Sequence, residues 1–262
     1  MIEFNDIYFS RSTGPVLEGI QLRIKKGEYL GIMGDNGSGK TTLARLMTGL
    51  LLPEKGDVRV NGISTGDRNR LLEIRHSAGT VFQNPDAQAI GETVEEDLVF
   101  GLENLGLPVP EINKRIEKYL DLLEIRELRH RTIRTLSGGQ KQLVNLAAVM
   151  VMEPEYIILD EPVSMVDAGH RRIILEHITR LNHEGTAIVH ITHDPDELTG
   201  CHRLIVLSGC RITHNGTPPE VFNQLFVEKK MDVPAPFAIS RELGLPPVLT
   251  TEALLEEICQ LK

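Results

Sequence analysis

The residues with the clearest chemical purpose are Gly34-Asp35-Asn36-Gly37-Ser38-Gly39-Lys40-Thr41, which fit the pattern G-x-x-x-x-G-K-[ST]. Glycines in such a loop let backbone N–H groups turn inward around phosphate oxygens, and a helix opening near Gly39 adds the positive end of its dipole. Lys40 is then placed to reach β- and γ-phosphates, and the Thr41 hydroxyl to bind Mg2+. A glycine-rich turn with a surface lysine is the plainer reading, and it does not account for the full match between an apolar run and a helical pattern. A second candidate is Ile157-Ile158-Leu159-Asp160-Glu161, an apolar run ending in two adjacent carboxylates. Asp160 would hold Mg2+ through its water shell and Glu161 would polarise an attacking water, because phosphoryl transfer is mostly positioning and charge stabilisation. Acidic residues commonly end strands, so this segment takes its meaning from the P-loop.

The third candidate is Leu136-Ser137-Gly138-Gly139-Gln140. Ser137 and Gln140 have capping-box spacing, and Leu143, Leu146, Ala147 and Met150 follow at helical intervals. Capping explains the helix but not the paired glycines, each of which costs about 1 kcal/mol inside a helix. Bare backbone at a helix start suits an anion. His190 and His193 invite a metal reading, but on a strand they point to opposite faces, and the rest of a ligand set is missing.

The elements that must hold these residues show in the hydropathy period. Ile2, Phe4, Ile7 and Phe9, then Ile20, Leu22 and Ile24, alternate with polar residues, which predicts an antiparallel β layer. Tyr29 to Met33 is a continuous apolar run leading through the P-loop into a helical pattern at Thr41 to Met47. Runs at 79–82, 156–159 and 187–192 read as buried strands that end in Gln83, in Asp160 with Glu161, and in His193. Ligands of open α/β sheets bind beyond the carboxyl ends of strands, so these ends should converge on one crevice. The expected fold is α/β: a P-loop NTPase core with a mainly parallel sheet, an antiparallel β subdomain, a helical subdomain and a small α-helical C-terminal appendage. Residues 93–105 and 110–123 carry helical spacing, placing the helical subdomain at about 84–150 within an ATPase domain of 1–230. Pro234, Pro236, Pro246 and Pro247 punctuate short helices in the appendage, 231–262, whose last helix should align Leu254, Ile258 and Leu261.

Taken in order, these motifs resemble those of the ATP-binding-cassette (ABC) ATPases over residues 1 to about 230: GDNGSGKT the Walker A loop, LSGGQ the signature and IILDE the Walker B strand. The resemblance implies that Gln83 in Phe82-Gln83-Asn84-Pro85 is the Q-loop glutamine, Ser164-Met165-Val166-Asp167 the D-loop and His193 the switch histidine. It implies catalysis by Glu161, His193 and Gln83, and Mg2+ held by Thr41, Gln83 and Asp160. ATP would be bound by Gly34, Asp35, Asn36, Gly37, Ser38, Gly39, Lys40, Thr41, Thr42, Arg11, Ser137, Gly138, Gly139, Gln140 and Asp167. Two such subunits would pack head to tail, as homodimer or heterodimer, each signature capping the γ-phosphate on the other's P-loop. Two departures stand out. Arg11, with Tyr8 and Phe9 nearby, falls where the family usually stacks a tyrosine on adenine, and an arginine plane can also stack. Val166 replaces the usual leucine of the D-loop.

A closer resemblance is to the ATPases of energy-coupling factor transporters, importers of vitamins and of cobalt or nickel ions. It is carried by residues 82–88, by Thr93-Val94-Glu95-Glu96-Asp97, by 100–107 and by Leu243-Gly244-Leu245-Pro246-Pro247 before a short helix. It implies a transmembrane coupling subunit and a substrate-binding membrane subunit as partners, with this chain peripheral on the cytoplasmic face of the cell membrane. Composition agrees. Of 262 residues, 41% are hydrophobic and the net charge is -9, which disfavours nucleic acid as the main partner. No apolar stretch reaches the roughly 20 residues of a membrane span. The N-terminus reads as free of a secretory leader, and Cys201, Cys210 and Cys259, without CxxC spacing, suit a reducing compartment. The alternative is a soluble ABC ATPase acting on nucleic acid or ribosomes. The acidic balance, the short Gln83 to Ser137 spacing and the lack of a coiled-coil insertion oppose it. A regulatory module without turnover is opposed by the presence of both Glu161 and His193.

Overall fold

The structure is a computed structural model that describes residues 1–164 and 166–260. Met165 of the expected D-loop and Leu261 of the expected terminal helix face lie outside the described residues. The opening alternation folds into β1 (Ile2–Arg11) and β2 (Gly14–Ile24), paired antiparallel from Ile2↔Ile24 to Arg11↔Gly14. β3 (Tyr29–Met33) is buried along its whole length and delivers the chain to the P-loop and α1 (Lys40–Met47). β4 (Lys55–Val60) pairs antiparallel with β1 and turns at Asn61-Gly62 into β5 (Ile63–Ser64). Both turn residues have positive φ, 51° and 81°, as a type I′ hairpin needs. The resulting four-stranded antiparallel sheet has the order β2-β1-β4-β5.

The second sheet takes its remaining strands from further along the chain. α2 (Leu71–Ser77) and β6 (Ala78–Val81) are followed by α3 (Val94–Asn104), α4 (Val109–Leu122) and α5 (Gly138–Met150). Then come β7 (Tyr156–Asp160), α6 (Ala168–His183), β8 (Ala187–Ile191), β9 (Arg203–Ser208), β10 (Arg211–Gly216), α7 (Pro218–Glu228), α8 (Ala235–Glu242) and α9 (Thr251–Gln260). The order is β10-β9-β3-β8-β7-β6, with every pair parallel except β10 with β9. The β9–β10 hairpin is absent from the sequence expectations above. Its apolar run, Leu204-Ile205-Val206-Leu207, is as strong as the others, and its turn at Gly209-Cys210 puts a non-glycine, Cys210, at φ 65°.

Period two decides what each face of the parallel sheet meets. Leu30, Ile32, Ile158, Val189 and Ile191 join the cluster shared with the antiparallel sheet and α1. Tyr29, Met33, Ile157, Leu159, Ile188 and Val206 join the other cluster, with α3 to α7 and Phe237 of α8. Capping boxes set the helix starts: Thr93 with Glu96 for α3, and Ser137 with Gln140 for α5. Phe237 of α8 packs against Phe222 and Phe226 of α7, ring centroids 6.2 and 6.3 Å apart. No helix among the described residues is long and apolar enough to cross a membrane.

Candidate active site

β3 sits between β8 and β9, so the loop after it lies among strand ends. The first loop residue must be glycine because of close approach: a Cβ on Gly34 would lie 2.3 Å from the Leu207 carbonyl oxygen and 2.7 Å from Ser38 Oγ. Gly39 must be glycine for its backbone, at φ 103° immediately before α1. Lys40 Nζ curls back to donate to the carbonyls of Gly34 (2.6 Å) and Asp35 (3.0 Å). Burial pushes the Lys40 ammonium down, against the pull of Glu161, Asp160 and Asp35. Ser38 Oγ is buried without a hydrogen-bond partner. A phosphate group in the loop would supply what both residues lack, an acceptor for the hydroxyl and a counter-charge for the ammonium.

Thr41 Oγ1 donates to Asp160 Oδ1 at 3.2 Å, tying the start of α1 to the end of β7. Burial pushes the Asp160 carboxyl up, partly offset by that hydrogen bond. Glu161, the next residue, is buried with φ 55°. Its N–H donates to Ile191 O at 2.9 Å, and both of its carboxylate oxygens lie 2.9 Å from His193 Nδ1. A carboxylate and an imidazole beside a phosphate loop can hold and polarise a water for attack.

One cleft of about 480 Å³ is lined by Arg11, Asn36, Gly37, Gly39, Lys40, Thr41, Thr42, Gln83, Asp160 and Glu161. Arg11 also donates to Thr42 Oγ1 at 3.4 Å, whereas the Tyr8 ring is covered by Lys55 Nζ at 4.5 Å and the partly buried Phe9 packs against the core. Gly34, Asp35 and His193 border an adjoining hollow of about 310 Å³, whose remaining wall includes Lys230, Met231 and Asp232. Three cleft residues escaped sequence reasoning: Thr13, Val16 and Arg45. Arg45 was findable, since it lies one helical turn beyond Thr41 on the same face of α1.

Thr41, Asp160 and Gln83, all on this cleft, fit a Mg2+ ion: a hydroxyl, a carboxylate short of counter-charge and an amide are hard oxygen donors. No cluster of three or more His, Cys, Asp or Glu suited to a metal occurs among the described residues. Ser137, Gly138, Gly139 and Gln140 do not line the P-loop cleft of their own chain. They open α5, where a Cβ on Gly139 would meet the His170 ring at 2.9 Å. Asp167 caps α6 through the N–H groups of Gly169 and His170, and its other oxygen lies 2.6 Å from His170 Nδ1.

The family described as "ABC transporter" matches residues 17–164, more than half of the chain. The chain belongs to the ABC transporter ATP-binding family. As an ABC ATPase it binds and hydrolyses ATP. The energy-coupling factor transporter ATP-binding protein EcfA of Methanosarcina acetivorans is 47% identical over 226 residues, 86% of this chain and 82% of that protein. The cobalt import ATP-binding protein CbiO of Syntrophus aciditrophicus is 38% identical over an alignment of 267 positions that covers 99% of this chain and 95% of that protein. Among solved structures, cbiO1 of Clostridium perfringens, described as part of the ABC transporter complex cbiONQ, matches with TM-score 0.77. It is 35% identical, over 87% of this ABC ATPase and 93% of that chain. A dimeric ATP-binding cassette in a post-hydrolysis state, bound to ADP and Pi, matches with TM-score 0.76 at 26% identity, over 83% of this chain and 99% of that one.

Proposed function

We propose that this ABC ATPase energises an energy-coupling-factor-type importer of a metal ion, cobalt or nickel, or of a vitamin, from the cytoplasmic face of the cell membrane. Its partners would be a second ATPase subunit, a transmembrane coupling subunit and a substrate-binding membrane subunit. The observation that carries this reading is the length of the likeness to the cobalt import relative, which reaches 99% of this chain and so takes in the appendage at 231–262 as well as the ATPase domain at 1–230.

In the proposed site, P-loop N–H groups and Lys40 bind the phosphates of ATP, and Arg11 stacks on the adenine. When bound at Thr41, Asp160 and Gln83, Mg2+ would neutralise charge on β- and γ-phosphate oxygens. Glu161 polarises the attacking water, and His193 holds the Glu161 carboxylate through Nδ1. Ser137, Gly138, Gly139, Gln140 and Asp167 serve the P-loop of a second subunit, a reading supported by none of them lining this chain's own cleft. Affinity purification of the tagged chain from detergent-solubilised native membranes tests the transporter assignment. A multi-spanning coupling protein and a small membrane protein should co-purify. Recovery of ribosomal or nucleic-acid-bound partners alone would overturn the importer reading.

A further inference from the structure

Next to the proposed catalytic residues runs a chain of buried polar groups to which the hydrolytic scheme gives no task. Tyr29 Oη lies 3.0 Å from His190 Nδ1, and His190 Nε2 lies 3.0 Å from Glu197 Oε2. The other Glu197 oxygen pairs with the Arg171 guanidinium at 3.1 Å, and Arg171 also pairs with Asp194. His190 is fully buried and the Glu197 side chain is 4% exposed. With a carboxylate accepting at Nε2, the imidazole carries a hydrogen there. A buried carboxylate is tolerated when it is paired and hydrogen-bonded, and Arg171 supplies that pair from the first turn of α6.

The chain ends one residue from His193. Asp194 is held at both oxygens, Oδ1 by the Asp196 N–H (3.0 Å) and Oδ2 by Arg171, while its own N–H donates to Thr192 Oγ1 at 3.1 Å. The His193 side chain, between them, is 57% exposed. Packing therefore does little to orient the imidazole, and its direction depends on its contacts with Glu161 and on the backbone of the turn that carries it.

We propose that Arg171 is a positioning residue for His193: by clamping Asp194 to the buried Glu197, it fixes the 192–196 turn that presents His193 Nδ1 to Glu161. The inference rests on the catalytic pair proposed above. A guanidinium suits the task because its planar fork serves two carboxylates at once, which an ammonium does less well.

The test is steady-state ATP turnover of the full-length chain carrying Arg171→Met, Arg171→Lys, Asp194→Asn or His193→Ala, with thermal melting measured alongside. Asp194→Asn leaves the Glu197–Arg171 pair in place, so it separates holding the turn from neutralising a buried carboxylate. Arg171→Met and Asp194→Asn should lower kcat about tenfold or more with KM for ATP changed less than about twofold, and Arg171→Lys should recover part of the loss. If Arg171→Met fails to fold, the other two variants decide. A kcat within about twofold of the parent in both Arg171→Lys and Asp194→Asn, or a loss confined to KM, overturns the proposal. Should His193→Ala turn over at the parental rate, the catalytic pair and this inference both fall. Loss in His193→Ala without loss in the other variants removes the inference alone.

Discussion

Glu161 and Asp160 are neighbours in sequence with different surroundings, and the difference is testable. Glu161 faces His193, so Glu161→Gln should keep Mg-ATP binding, lower turnover about a hundredfold or more and accumulate a closed ATP-bound dimer. Normal turnover in that variant would remove Glu161 from its proposed role. Asp160 is ionised at a cost, because burial raises its pKa in the folded chain. As pH rises through the ordinary aspartate range the unfolded chain loses this proton first, so stability falls with pH until the folded carboxyl also ionises, and the deficit persists above that. The nucleotide-free Asp160→Asn chain should therefore melt above the parent at pH 7, the gap closing as the pH is lowered through that range. With Mg-ATP the order should reverse, and melting curves at several pH values with and without nucleotide check both signs. Most of these residues were legible from type and spacing, since G-x-x-x-x-G-K-[ST] and an apolar run ending in two carboxylates carry their chemistry in the letters. Thr13 and Val16 were not, because nothing local marks a residue that enters a cleft through the packing of other elements, whereas Arg45 is marked by its spacing one helical turn beyond Thr41.

At the scale of elements, α5 and α6 meet where the signature begins. Alanine at Gly139 would favour the helix by about 1 kcal/mol, but its Cβ would press on the His170 ring at 2.9 Å. Gly139→Ala should thus leave folding and the ATP affinity of the single chain unchanged while turnover falls about tenfold. Adding His170→Ala should restore part of the rate, and an undisturbed rate in the single variant would show that the contact does not matter. The start of α5 was readable because Ser137 and Gln140 satisfy its end N–H groups by side chains three residues apart, and Thr93 with Glu96 does the same for α3 in the structure. The β9–β10 hairpin was harder. Its outer strand pairs on one side only, so its burial alternates weakly, and Gly209-Cys210 is a poor turn signal beside Asn61-Gly62.

Across the whole molecule, the sequence pattern gave the order of strand, loop and helix but not which distant segments share a wall. Proline spacing suggested an appendage after residue 230, and no periodicity could reveal that the connection between α7 and α8 passes beside the P-loop. Lys230, Met231 and Asp232 border the same hollow as Gly34, Asp35 and His193. A nucleotide phosphate in that hollow, or a second subunit closing over it, would lie against this connection. The Lys229-Lys230 bond thereby becomes a reporter: trypsin should nick the nucleotide-free chain there and spare it in the Glu161→Gln chain saturated with Mg-ATP. Equal cutting in the two states would mean that the hollow stays open during the cycle. Protection would give a label-free gauge of occupancy, read from a gel, for a chain with no tryptophan to follow by fluorescence.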